Sequence, residues 1–329
     1  MILLLGAGSY VGQAFARALR RRKGCFIPLS REALDYTRFE VLFDYVRKIQ
    51  PELVINAEGY FEPLDGASAE FDRAGMLQAN TLLPQTVARV CAMTHTELGH
   101  VSSGSIYTGA KIIVKGALRI EPDLSQPALL DLFKRDPQGL LGFSETDTPN
   151  ASFHSHPCTF ASGTKALAEE VIRDQPNCFV WRLRLPFNER DDPDNVLSRL
   201  QASSDLPDTI HSASHLDDCV TACIELWERR AAFGTYNVVN PGAITHRQVS
   251  ELVQRFRKPA PGWENVICSS STGAPMLQRG CLLDTAKLRH AGVSLRPLQQ
   301  AIIDALENWQ EPARPPAPSS PKLRVLASP

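Results

Sequence analysis

Ile2-Leu3-Leu4-Leu5-Gly6-Ala7-Gly8-Ser9-Tyr10-Val11-Gly12 runs four apolar residues straight into a glycine-rich turn. An apolar run of that length bounded by glycine reads as a buried strand, and Val11, Ala14, Phe15, Ala18 and Leu19 behind it share one face of a helix. Strand, glycine turn and helix in this order form the setting in which backbone N–H groups at a helix N-terminus cradle a pyrophosphate. Gly6, Gly8 and Gly12 permit close backbone approach, and Ser9, Tyr10 and Val11 complete the candidate dinucleotide-binding turn.

Outward from this turn the alternation continues. Apolar runs at Phe26–Leu29, Leu53–Asn56, 100–103 and 179–185 are separated by helical stripes, Val41, Leu42, Tyr45, Val46 and Ile49, then Leu82, Leu83, Thr86, Val87 and Val90. The pattern predicts an α/β fold, a Rossmann-type doubly wound parallel sheet, over residues 1–185. A Pro- and Gly-punctuated insert at 108–157, with one helix near 128–133, is long for a connection and is expected to act as a lid. Residues 186–310 read as a smaller C-terminal α/β substrate domain, with a strand at 234–239 placed to return to the main sheet, and 311–329 as a Pro-rich tail.

Composition narrows the partners. The formal net charge is -1, and the longest basic run, Arg20 to Lys23, ends a helix where it complements the macrodipole, so no nucleic-acid surface is expected. The opening apolar run is too short for a leader or a membrane span, which places the protein in the cytoplasm with no membrane partner. Eight cysteines, Cys25, Cys91, Cys158, Cys178, Cys219, Cys223, Cys268 and Cys281, lack CxxC spacing and read as buried free thiols, not as a metal site. The second strand ends in Ser30-Arg31 where an acid would hold the ribose 2′-hydroxyl of NAD; Arg31 instead suits the 2′-phosphate of NADP, with NAD the alternative, and Asp35 falls near the adenine side.

Gly6 to Gly12, Leu29-Ser30-Arg31-Glu32-Ala33-Leu34-Asp35, Val54-Ile55-Asn56-Ala57, Val101-Ser102-Ser103-Gly104-Ser105-Ile106-Tyr107 and Thr164-Lys165-Ala166-Leu167-Ala168-Glu169 stand in the order and spacing of extended short-chain dehydrogenases/reductases. Together they resemble the dTDP-4-dehydrorhamnose reductase family and the epimerase/reductase part of nucleotide-rhamnose synthases, within the NAD-dependent epimerase/dehydratase group. The resemblance extends through Trp181-Arg182-Leu183-Arg184-Leu185-Pro186 and Tyr236 to Gly242, roughly residues 1 to 310.

The resemblance implies a homodimer that reduces a keto-deoxysugar of a nucleotide sugar. Ser103 matches the hydroxyl that holds the substrate oxygen, Lys165 the lysine that binds the nicotinamide ribose, and Asn56 and Ala57 belong to the cofactor side. The proton-donating tyrosine of the YxxxK pair is replaced by Ala161, and the cysteine of epimerising relatives by Ser105. A hydroxyl is a far poorer acid or base than a thiol near neutral pH. Tyr107, Ser162, His154 and His156 lie near enough in sequence to be considered as donors. Tyr107, Arg182, Arg184, Asn188 and His215 are the candidate substrate contacts, the arginines suited to a pyrophosphate. Two readings stand: an NAD(P)-dependent sugar-nucleotide oxidoreductase or epimerase/reductase, impaired at Ala161, and a non-catalytic NADP(H)-binding regulatory or scaffold protein.

Overall fold

The computed structural model describes residues 1–60, 72–155, 158–202, 207–257 and 280–311. The first apolar run is strand β1 (Ile2–Leu5), every residue of it buried, and the stripe behind the glycine turn is helix α1 (Tyr10–Arg21). β2 (Phe26–Leu29), α2 (Phe39–Ile49) and β3 (Leu53–Asn56) follow. A short α3 (Arg73–Leu77) then runs through a π-helical turn, Gln78–Leu82, into α4 (Leu83–Thr94) and on to β4 (Glu97–Ser103).

The segment after β4 carries a hairpin, β5 (Ala110–Val114) and β6 (Ala117–Glu121), and α5 (Pro127–Arg135). α6 (Phe160–Ile172) leads into β7 (Cys178–Leu183) and the short β8 (Pro186–Phe187). The rest alternates longer helices with brief strands: α7 (Val196–Ala202), β9 (Ile210–His211), β10 (Ser214–His215), α8 (Leu216–Glu228), β11 (Gly234–Asn237), β12 (Ile244–Thr245), α9 (His246–Phe256), α10 (Ala286–His290) and α11 (Leu298–Glu307).

Six strands pair in parallel in the order β2-β1-β3-β4-β7-β11. Strands buried on both faces need a helix layer on each side. One face holds Ala14, Phe15, Trp181, Val220 and Cys223, under α1 and α8; the other holds Leu42, Val46, Val87, Val90 and Ile172, under α2, α4 and α6. A separate cluster of Phe187, Leu197, Val253, Ile302 and Leu306 sits beneath α7, α9 and α11. The strand order reverses between β1 and β3, so a crevice opens at the carboxyl ends of these strands, where open α/β sheets bind ligands. Leu5 is in register with Asn56 and His100, and β4 and β7 continue beyond that level to the pair Ser103 and Leu183.

The expected helix of the insert is α5. Ala110, Leu124, Leu129, Phe133 and Leu140 pack with Ile210 and Leu282, and Phe143 bridges to Leu283, so burial of an apolar face docks the segment on the C-terminal half. Buried free thiols are found at Cys91, Cys178, Cys219, Cys223 and Cys281; Cys25 is exposed and Cys158 half-buried, while Cys268 lies outside the described residues. The Pro-rich stretch from 312 onward also lies outside them. Among the described residues no helix is long and apolar enough to cross a membrane.

Candidate active site

The glycine turn is built around Ser9. Its hydroxyl accepts from Gly12 N at 2.9 Å as the N-cap of α1 and donates to the Ala57 carbonyl at 2.9 Å, tying the helix start to the end of β3. Serine at the middle position of the turn is thus a capping residue that joins the two strands flanking the crevice. The N-terminus of α1 has no acid in its own first turn, a setting that suits an anion. Gly8 has nothing within 4 Å of where a Cβ would stand, whereas Gly12 is pressed against the Gly6 carbonyl.

A group that sequence reasoning missed covers this turn. Glu58, two residues beyond β3, accepts from the Tyr36 hydroxyl at 2.8 Å and pairs with Arg31 at 2.9 Å. Tyr36 in turn accepts from Gly6 N, and its phenol is pushed up by burial and by the Glu58 carboxylate. Arg31 keeps a side chain 38% exposed and sits at the end of β2. Only contact between the β2 and β3 ends, decided by the sheet order, could have revealed this pair.

Two cavities meet at the middle of the edge. One runs from Val11 and Ala57 past Glu58 and Gly59 to Ser103 and Lys165. The other, the larger of the two, is lined by Ser103, Ser105, Ala161, Lys165, Arg184 and Tyr60, among others. Ser103 and Lys165 belong to both. Ser103 comes from the end of β4, where its Oγ accepts from Ser105 N at 3.1 Å. Lys165 comes from α6, whose start is fixed by a reciprocal capping box between Thr159 and Ser162. Gly59 makes room for the lysine: a Cβ there would lie 2.8 Å from Lys165 Nζ.

Burial pulls the Lys165 ammonium down to about 8, with Glu169 and Glu58 opposing the shift. Between about pH 8 and 10.5 the unfolded chain therefore holds a proton that the folded chain has lost, so stability rises with pH across that window and is flat below it. Lys165→Met should remove a rise on the order of 3 kcal/mol. Urea denaturation at pH 7 and pH 10 checks this: the variant should be the more stable form at pH 7, and an undiminished rise in the variant would assign the titration to another group.

Several candidates serve other purposes. Arg182 is engaged with Glu169 of α6 at 2.6 to 3.1 Å and donates to the Tyr107 hydroxyl at 3.1 Å, so it is not a substrate contact. Tyr107 donates to the Asp147 carbonyl at 2.6 Å, and burial raises its phenol to about 12; its hydroxyl is committed to packing although the residue borders the larger cavity. Asn188 is fully buried and accepts from Tyr10 Oη at 3.0 Å, and the phenol of Tyr10 is turned inward accordingly. His215 caps α8 and faces Arg296.

The cofactor-side candidates divide in the same way. Asn56 is buried against His100 and accepts from Glu58 N, behind the crevice and not in it. Asp35 caps its own turn at Thr37, and the Ser30 carbonyl accepts from Ala33 and Leu34. Of the donors considered, His154 is an exposed partner of Glu170 and Ser162 is spent in the capping box; His156 lies outside the described residues. Arg184 is the arginine that does face the larger cavity. It is buried, its Nε has no hydrogen-bond partner, and desolvation lowers its pKa.

A six-stranded parallel sheet with a glycine turn at its switch point, and a serine and a lysine at the junction of two cavities, has the layout of an extended short-chain reductase. Residues 1–128 match the family model described as the RmlD substrate binding domain. The chain is 24% identical over 260 residues to a bifunctional dTDP-4-dehydrorhamnose 3,5-epimerase/dTDP-4-dehydrorhamnose reductase of Arabidopsis thaliana, covering 78% of this chain and 77% of that one. It spans 29–35% of the length of longer trifunctional relatives from the same plant.

Among solved structures, the L780 UDP-rhamnose synthase from Acanthamoeba polyphaga mimivirus superposes with a TM-score of 0.73 at 19% identity, covering 93% of this chain and 98% of that one. A dTDP-4-dehydrorhamnose reductase from Bacillus anthracis, solved in complex with NADP, gives 0.67 at 17% identity, covering 94% and 96%. These likenesses bear out the resemblance to the extended reductases and the Rossmann-type fold.

Proposed function

We propose that this chain is an NAD(P)-dependent oxidoreductase or epimerase/reductase acting on a keto-deoxysugar carried by a nucleotide. The observation that carries the reading is the sharing of Ser103 and Lys165 by both cavities, which puts a hydroxyl and a cation where a dinucleotide and a sugar would meet. The residues present fit a dinucleotide. The α1 N-terminus, with no acid in its own first turn, suits the pyrophosphate, and Lys165, buried with no hydrogen-bond partner among the described residues, suits the nicotinamide ribose. Bound there, the reduced nicotinamide supplies the hydride for a carbonyl.

The chain's own residues do the rest. Ser103 donates to the substrate oxygen, and the Lys165 charge favours negative charge developing beside it. Arg184, a buried cation facing the larger cavity without a carboxylate partner among the described residues, suits the diphosphate of a nucleotide sugar. Arg31 supports NADPH over NADH; in the free chain Glu58 holds it, and an arriving 2′-phosphate would compete for the same guanidinium. Ala161 favours the second reading, a binding protein without turnover.

The test is calorimetric titration of NADPH, NADH and a 4-keto-6-deoxy nucleotide sugar, followed by NADPH oxidation with that sugar. Parent protein should bind NADPH more tightly than NADH and oxidise it only when the keto sugar is present. Arg184→Leu should weaken the nucleotide sugar about 30-fold or more while leaving NADPH binding unchanged, the scale of a charged hydrogen bond to phosphate. Tight binding of both ligands without oxidation would leave the binding-protein reading.

A further inference from the structure

The missing phenol of α6 leaves a gap in the proton path, and the larger cavity offers another tyrosine. Tyr60 lines it together with Ser103, Ala161 and Lys165, is 39% exposed, and its hydroxyl has no hydrogen-bond partner among the described residues. Its backbone is held on both sides by one buried side chain: Tyr60 N donates to Asn80 Oδ1 at 2.8 Å, and Asn80 Nδ2 donates to the Tyr60 carbonyl at 3.3 Å. Asn80 Nδ2 also reaches Thr164 Oγ1 at 3.3 Å, and that hydroxyl donates to the Ala161 carbonyl at 2.9 Å. The segment bearing Tyr60 is therefore fastened to the turn of α6 that carries Ala161 and Lys165. The preceding Gly59 lies directly against Lys165 Nζ.

We infer that Tyr60, entering from the segment after β3, is the residue that protonates the substrate oxygen in place of the phenol absent at Ala161. The inference rests on the reductase reading given above. As the carbonyl carbon takes up hydride from the reduced nicotinamide dinucleotide, the carbonyl π pair passes to oxygen. The Tyr60 O–H bond breaks, a new O–H bond forms on the sugar, and the phenolate left behind recovers its proton from solvent beside Lys165. The Lys165 cation stabilises that phenolate. Asp194 is the other acid bordering the cavity, raised by burial and by Asp192, but its charge is set against Arg199 and no hydrogen bond ties it to α6.

The experiment compares parent, Tyr60→Phe, Asp194→Asn and the double variant Tyr60→Phe/Ala161→Tyr, by steady-state NADPH oxidation with a 4-keto-6-deoxy nucleotide sugar and by calorimetric binding of both ligands. Tyr60→Phe should lower kcat about 100-fold or more, the usual scale of general acid catalysis, with KM and both dissociation constants unchanged within about twofold. Asp194→Asn should retain kcat. Adding Ala161→Tyr should restore at least about tenfold of the loss, because i and i+4 side chains of a helix meet and the new phenol would stand beside Lys165. Parent turnover that survives Tyr60→Phe, or a loss confined to Asp194→Asn, overturns the role of Tyr60 and leaves the reductase reading intact. A parent that binds both ligands without turnover overturns both.

Discussion

Gly12→Ala is expected to bind NADPH about 100-fold more weakly than the parent and to lose about 1–3 kcal/mol of stability, the scale of overpacking in a close-packed interior. A Cβ on Gly12 would stand 1.9 Å from the Gly6 carbonyl oxygen and 2.8 Å from its carbon, and the obstacle is backbone, which has no rotamer by which to withdraw. The turn must open by more than 1 Å, which carries the free N–H groups of α1 away from any pyrophosphate they would hold. Ser9 is strained at the same time, since its hydroxyl bridges Gly12 N to the Ala57 carbonyl. Gly8→Ala is the control: nothing lies within 4 Å of its Cβ position, so its stability should stay within about 0.5 kcal/mol of the parent. Fluorescence titration with NADPH and thermal denaturation of both variants check this. Equal losses in the two would place the constraint in the loop as a whole and not at the Gly6–Gly12 contact.

Arg182→Met should destabilise the fold by about 3–5 kcal/mol, the usual cost of breaking a buried ion pair from one side. The two side chains are 5% and 10% exposed, and the guanidinium makes a two-pronged contact with Glu169 through Nε and Nη2. Glu169 also accepts from Ser102, and Arg182 from its other end reaches Tyr107, so one pair joins β4, β7, α6 and the segment after β4. Removing the cation leaves a carboxylate buried without its partner. Removing both should cost much less, because replacing a buried pair with apolar groups of similar volume is often near neutral. Urea denaturation of Arg182→Met, Glu169→Leu and the double variant measures the coupling, and additive losses would show that the pair contributes nothing beyond its separate packing.

The same pair shows where sequence reading stops. Two arginines two residues apart in one expected strand, Arg182 and Arg184, were equivalent as candidate grips for a pyrophosphate. Period two would set both on one face, but β7 ends at Leu183, and one residue beyond it the alternation of the strand no longer directs Arg184. α6 lies beside Arg182 and supplies Glu169, whereas Arg184 borders the larger cavity with no hydrogen-bond partner for its Nε. His215 and Asn188 show the same limit: a histidine before an acidic first turn became the cap of α8, and an asparagine became the acceptor for Tyr10 Oη. Polar side chains are taken up by whatever donors and acceptors the packing brings near, because leaving them unmet in the interior is costly.

What the sequence determined by itself was local and periodic: the alternation of apolar runs and helical stripes that makes the parallel sheet, the glycine turn between β1 and α1, and the placement of Ser103 at a strand end and Lys165 on a later helix. These follow from spacing along the chain, since period two, period 3.6 and a glycine between them need no distant partner to be read. The strand order, β2-β1-β3-β4-β7-β11, was settled only in three dimensions, and with it everything that depends on which ends lie side by side. It brought Glu58 onto Arg31, Glu169 onto Arg182, and Gly59 and Tyr60 against the helix of Lys165, contacts between residues 13 to more than 100 positions apart. Their physical cause is burial of the two faces of one sheet, which no short window of sequence contains.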